Sequence, residues 1–170
     1  MTKTLETGAS ALRWLWLTLL VIVLDLASKY LAESLLTYAS PVPLLPVFDL
    51  TLLYNTGAAF SFLAGAGGWQ RWLFVAIALG MSAFLLHWMW RTPCSQRLLG
   101  AGLALVLGGA LGNLYDRTVH GYVVDFISLH WAGYYFPAFN IADCAITLGT
   151  IALLADMLFS RNDTSGEERT

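Results

Sequence analysis

Two aspartates stand in apolar sequence, where a charge is costly: Asp125 within Val123-Val124-Asp125-Phe126-Ile127, and Asp143 at the end of Phe139-Asn140-Ile141-Ala142-Asp143. Neither has a Lys or Arg within four positions along the chain. Two carboxylates brought together in an apolar site cannot both ionise cheaply, so they share one proton. The ionised member takes a proton from water while the protonated one polarises a carbonyl oxygen, which is amide hydrolysis without a metal or a covalent intermediate. The residues alone also allow a plainer reading, in which Asp143 caps a helix N-terminus and Asp125 is a sheet-edge residue. A second pair, Asp25 and Lys29, has the spacing that places a carboxylate and an ammonium on one helical face. It reads as a structural ion pair that braces a helix end.

Other chemistries lack their residues. No His-Glu-x-x-His zinc motif, Gly-x-Ser-x-Gly elbow or phosphate-binding glycine loop is present. His120 and His130 flank Asp125, but their spacing does not support a ligand set, and no metal or other cofactor is expected. Cys94 and Cys144, the only 2 cysteines, are too few for a disulfide scaffold. Cys144 reads as a small packed hydrophobe.

The aspartates need elements to hold them, and the composition says which kind. Of 170 residues, 58% are hydrophobic and 12% charged, against roughly 45–50% and 25% in soluble domains. Mean hydropathy is +0.65. Such a chain is neither disordered nor, with a net charge of −2, a nucleic-acid binder. It reads as an integral membrane protein forming one domain over 1–170. Four windows are long enough to cross a bilayer, at about 11–36, 68–90, 98–115 and 141–159. The first has a weakly basic head and an apolar run too long for a signal peptide, so it reads as a retained helix. Lys3, Arg13, Arg91, Arg97, Arg161 and Arg169 then share one side, against Lys29, Arg71 and Arg117 on the other. That bias predicts cytoplasmic N- and C-termini.

The outer loops, about 37–67 and 116–140, carry patterns of their own. Pro41, Pro43 and Pro46 favour extended chain, and Phe48-Asp49-Leu50-Thr51-Leu52 alternates as a half-buried strand does. Asn55-Thr56-Gly57 reads as a turn, 58–63 as a short interfacial helix, and 121–127 as a second β-like run. The fold class predicted is a mainly α membrane protein: a four-helix transmembrane bundle with a small extracytoplasmic β-sheet and that interfacial helix. The aromatics Trp131, Tyr134, Tyr135 and Phe136 suit headgroup depth. Gly108 and Gly112 in the third window admit a close backbone. They are read as internal packing rather than a dimer seam, and a monomer is expected.

Four segments in order resemble bacterial lipoprotein signal peptidase, also called signal peptidase II: Tyr54-Asn55-Thr56-Gly57-Ala58-Ala59-Phe60-Ser61, Gly112-Asn113-Leu114-Tyr115-Asp116-Arg117, Gly121-Tyr122-Val123-Val124-Asp125-Phe126 and Phe139-Asn140-Ile141-Ala142-Asp143. With the Asp25-x-x-x-Lys29 pair, the resemblance covers nearly the whole chain. It implies an aspartyl endopeptidase of the bacterial cytoplasmic (inner) membrane, with its active site at the outer face. Such an enzyme removes the signal peptide from diacylglyceryl-modified prolipoproteins just before the lipidated cysteine, without a cofactor. It implies Asp125 and Asp143 as the catalytic pair, and Asn55, Asn113, Arg117 and Asn140 as residues that bind substrate or brace the site. The implied partners are the lipidated prolipoprotein and membrane lipids. A small transporter or proton carrier is the alternative class, since intramembrane Asp and Lys also serve proton relays. A presenilin-like protease is disfavoured, because Val124 and Ala142 precede the two aspartates where Gly would be needed.

Overall fold

Lipid offers no hydrogen-bond partner to a free peptide group, so long apolar stretches become helices that satisfy their own backbone. The computed structural model describes residues 10–57 and 67–167. A short 3-10 turn, Ala11–Trp14, leads into helix α1, Leu15–Leu35. Helix α2 is Trp69–Arg91, α3 is Arg97–Val119 and α4 is Ile141–Glu167. All four are long and apolar enough to cross a membrane. The central one is α3: half of its apolar window is buried, against 17–28% for the other spans.

Small residues allow α3 that position. Gly108 and Gly112 face Val21 and Asp25 of α1, and a Cβ at either would collide with them. Gly102 and Gly109 face α4 instead, at Gly149 and Ala142. The glycine pair singled out in the sequence thus packs inside the bundle.

Four antiparallel strands, β1 (Val42–Leu45), β2 (Phe48–Asn55), β3 (Val123–Trp131) and β4 (Tyr134–Tyr135), form one sheet in that order. It lies at the end of the bundle where α1 and α3 finish and α2 and α4 begin. Ala32 of α1 packs with Leu52, Val124 and Phe126 to anchor it there. The edge position of β1 tolerates Pro43, whose missing N–H a central strand would need. Ala132 and Gly133, both at positive φ, turn β3 tightly into β4.

One irregularity matters for the site. Leu50 pairs with Ile127, but the next pair is Leu53 with Asp125, so Thr51 and Leu52 together oppose Phe126. This β-bulge flips the facing of every later residue of β2. It puts Leu53 and Asn55 on the face that carries Asp125; in regular register Asn55 would point the other way.

Three expectations are corrected or left aside. The third helix does not end near 115 but continues to Val119, so Asp116 and Arg117 are helical rather than part of an outer loop. Their polarity suggested an exit from the bilayer, yet Asp116 is buried against partners inside the protein. Strand β3 runs on to Trp131, past the expected 127, while the chain bends at Thr56 and Gly57 where the turn was expected, with Asn55 closing β2. The interfacial helix expected at 58–63 lies outside the described residues.

Candidate active site

Asp143 sits in the first turn of α4, where Asn140 caps the helix. Asn140 Oδ1 accepts from the Asp143 N–H at 3.0 Å, and Asp143 Oδ2 accepts from the Asn140 N–H at 3.4 Å. That reciprocal arrangement is a capping box. The plainer reading of Asp143 as a helix cap therefore holds alongside a chemical role, because its Oδ1 is also held, by Asn113 Nδ2 at 2.8 Å. Asp125 comes from β3 and is 3% exposed. Asn140 Nδ2 donates to its Oδ1 at 2.7 Å, and Asn55 Nδ2, delivered by the bulge, to its Oδ2 at 3.2 Å.

Each amide has its orientation fixed by a group that can only donate. Gly57 N–H binds Asn55 Oδ1 at 3.0 Å, so the Asn55 NH₂ must face Asp125. The Asp143 N–H takes Asn140 Oδ1 and turns the Asn140 NH₂ toward Asp125. Lys29 Nζ binds Asn113 Oδ1 at 3.0 Å, so the Asn113 NH₂ faces Asp143. An ammonium has no acceptor capacity, which makes that last orientation obligatory. Three side-chain amides are thereby aimed at two carboxylates.

Lys29 is 2% exposed; it donates to Asn113 and forms ion pairs with Asp25 Oδ2 at 2.7 Å and Asp116 Oδ2 at 2.9 Å. Asp25 Oδ1 accepts from the Ala142 N–H at 2.9 Å, satisfying a free donor at the start of α4. Asp116 Oδ2 accepts from the Val124 N–H at 3.1 Å, next to Asp125. One buried ammonium thus joins α1, α3, β3 and the N-terminus of α4. The sequence pointed to the Asp25–Lys29 pair; it did not reveal Asp116 as the third member, since its partner lies on another helix. An i, i+4 carboxylate–ammonium pair inside an apolar window was the available signal.

Arg117 donates from Nη2 to Gly57 O at 3.1 Å and from Nη1 to Asn113 O at 3.4 Å, with its guanidinium over the Phe74 ring at 5.3 Å. It ties the chain following β2 to α3, close to both aspartates.

These groups open into a cavity of about 960 Å³. Asp125, Asp143, Asn55, Asn113 and Arg117 supply its polar part. The rest is mostly apolar, with Leu129, Phe136 and Phe139 from the sheet side and Ile146 and Leu148 from α4. Tyr38 and Tyr54, stacked at 5.2 Å, form another part of the wall; Tyr54 opens the first segment singled out in the sequence, whereas nothing marked Tyr38 beforehand. Cys144 also lines the cavity. Burial, and then the negative charge of Asp143, push the Asp125 carboxyl up to about 7. Among the described residues no group of three or more His, Cys, Asp or Glu is placed to hold a metal ion. His120 instead stacks on Tyr122 and His130 approaches Asp49.

Two carboxylates, each held by side-chain amides, thus line one largely apolar cavity. The family model described as Signal peptidase (SPase) II matches residues 17–159. A lipoprotein signal peptidase of Pseudomonas paraeruginosa is 55% identical over 158 residues, covering 92% of each chain. One of Pseudoalteromonas translucida is 52% identical over 147 residues, covering 86% of this chain and 89% of its own. A bacterial membrane enzyme solved by the in meso method at 2.3 Å superposes with a TM-score of 0.80 at 28% identity, over 93% of both chains. A second, solved at 1.9 Å, gives 0.72 at 27% identity, over 86% of this chain and 92% of that one. Four membrane-crossing helices, a small sheet and a match over most of its length settle the family: the chain belongs to the signal peptidase II family of aspartic-type membrane peptidases.

Proposed function

We propose that Asp125 and Asp143 together hydrolyse the peptide bond immediately before the diacylglyceryl-cysteine of a prolipoprotein, releasing its signal peptide. One observation carries the reading. Two carboxylates from different elements open into one apolar cavity, each held by amide donors whose orientation is fixed. Asp125, pushed up to about 7, holds the shared proton below that pH. Asp143, held by two donors in the first turn of α4, serves as the base. Asp143 takes a proton from water as the water oxygen attacks the scissile carbonyl carbon. Asp125 gives its proton to the carbonyl oxygen, forming a neutral gem-diol. On collapse, the C–N bond breaks, the departing amine takes the proton from Asp143, and a gem-diol hydroxyl returns one to Asp125. The starting state is regenerated without a cofactor.

The remaining polar groups bind and brace. Asn55, Asn113 and Asn140 hold the carboxylates, and Arg117 adds guanidinium donors for main-chain carbonyls of an extended substrate. Asp25 and Lys29 act as a structural ion pair. The apolar walls suit a signal peptide and acyl chains. The whole chain acts as one integral unit, as a monomer in the bacterial inner membrane, with cytoplasmic termini and the cavity at the outer face.

A gel-shift cleavage assay in detergent tests this. Purified protein meets a prolipoprotein with and without its diacylglyceryl group, beside Asp125→Asn and Asp143→Asn. The expected result is cleavage of the lipidated form, with each variant folded and slowed by about 10²–10⁴-fold, the usual contribution of a positioned acid or base. A fully active variant removes that residue from the pair. Folded wild type that cleaves neither form rejects the function, and proton flux in liposomes then tests the carrier alternative.

A further inference from the structure

The proposed catalytic network leaves unused one Asp–His contact, between a buried aspartate and a partly exposed histidine. Asp49 on β2 is 4% exposed, and its Oδ2 lies 3.2 Å from Nε2 of His130 on β3. The His130 ring stacks on Tyr135 of β4, with centroids 4.9 Å apart, and the His130 main-chain N–H donates to Val47 O at 3.0 Å. His130 is therefore where the β1–β2 turn, β2 and β4 meet. Strand β4 is only two residues long, too short for its ladder alone to hold it firmly. Side chains must fix the hairpin, and what they fix matters: Leu129 and Phe136, one residue from His130 and Tyr135 respectively, both line the catalytic cavity.

We propose that Asp49 and His130 are a positioning pair for cleavage, which clamps the β3–β4 hairpin and so sets the Leu129–Phe136 wall against the apolar part of the substrate. The groups facing the imidazole are the Asp49 carboxylate from β2 and the Tyr135 ring from β4. Leu129 and Trp131 beside it on β3 are uncharged, and His130 makes no other ion pair among the described residues. Through that contact and the ring stack, the clamp holds the hairpin against β2. It acts on substrate binding and leaves the chemistry at Asp125 and Asp143 alone. This inference rests on the reading of the cavity as the substrate site.

Two measurements test it, on wild type, His130→Gln, Asp49→Asn and His130→Lys. The first is KM and kcat for lipidated prolipoprotein. KM is expected to rise about five-fold in His130→Gln and in Asp49→Asn, the ratio that roughly 1 kcal/mol of clamping gives, with kcat unchanged. His130→Lys, which keeps a donor within reach of Asp49, brings KM back toward the wild-type value. The second is amide hydrogen exchange over residues 129–136 without substrate, faster in the Gln and Asn variants than in wild type. Unchanged exchange in both variants, or a fall in kcat at constant KM, overturns the proposal. Absence of cleavage by wild type counts against the proposed function instead, and the exchange measurement still decides the clamp.

Discussion

At Asp125 and Asp143 the protein spends three asparagines on two carboxylates, and the direction of each amide follows from a neighbour that can only donate. Such preorganisation places the proposed acid and base before substrate arrives. It also gives the pH profile a definite sign. Asp125, pushed up to about 7 by burial and by Asp143, must be protonated to assist the carbonyl. As pH rises through about 7 it ionises, two negative charges face each other, and kcat/KM is expected to fall about ten-fold per pH unit. Asn55 donates to the ionised form of Asp125 and holds its pKa down. Asn55→Ala removes that donor, raises the pKa and shifts the alkaline limb to higher pH, while lowering the maximal rate. Profiles of kcat/KM from pH 5 to 9 for the two proteins check this; a limb that stays put or moves to lower pH removes Asp125 as the acid.

At the scale of elements, four pieces of secondary structure are held to one another through Lys29. Replacing it with Ala leaves Asp25 and Asp116 buried without a cation, and breaking such a buried pair costs about 3–5 kcal/mol. The expected outcome for Lys29→Ala is a large drop in thermal midpoint together with lost turnover; unchanged stability would show that the buried carboxylates find other partners. Gly109→Ala tests the α3–α4 contact. A methyl there would overlap the carbonyl of Ala142, so α4 must shift, and Asp143 moves with it. Overpacking of this kind costs about 1–3 kcal/mol, and thermal denaturation beside turnover should show both falling. How much of this could be read from the residues divides along the same lines. The four spans follow from apolar length and β1 from its prolines, and the aspartates stand out as charges in apolar runs. All of these are local signals. The bulge at Thr51 and Leu52 is a property of pairing between β2 and β3, which lie about 70 residues apart, so no window along the chain contains it. The continuation of α3 through Asp116 and Arg117 is hidden for a similar reason: those side chains find their partners on α1, on β3 and at Gly57.

Over the whole molecule, most of the surface of α1, α2 and α4 is apolar and unburied, as a protein solvated by lipid requires. The ionisable residues that pair or line the site, Asp25, Lys29, Asp116, Arg117, Asp125 and Asp143, gather at the sheet end of the bundle. A relay would need them spaced from one end to the other, and a hydrolase acting at one membrane surface needs them where they are. The proposed cytoplasmic termini put that end at the outer surface, and the two cysteines offer a direct test of the proposal. Cys144 lines the cavity at the start of α4, whereas Cys94 lies in the turn between α2 and α3, at the far end of the helices. Both are free and partly exposed. With cytoplasmic termini, a membrane-impermeant maleimide added to intact spheroplasts should label Cys144 in a Cys94→Ser variant. It should reach Cys94 in a Cys144→Ala variant only after the membrane is opened. Lipidated prolipoprotein, which would fill the cavity, should slow labelling of Cys144 and leave Cys94 unaffected. Labelling of Cys94 in closed spheroplasts would invert the topology and place the catalytic pair on the wrong side for a substrate processed at the outer leaflet.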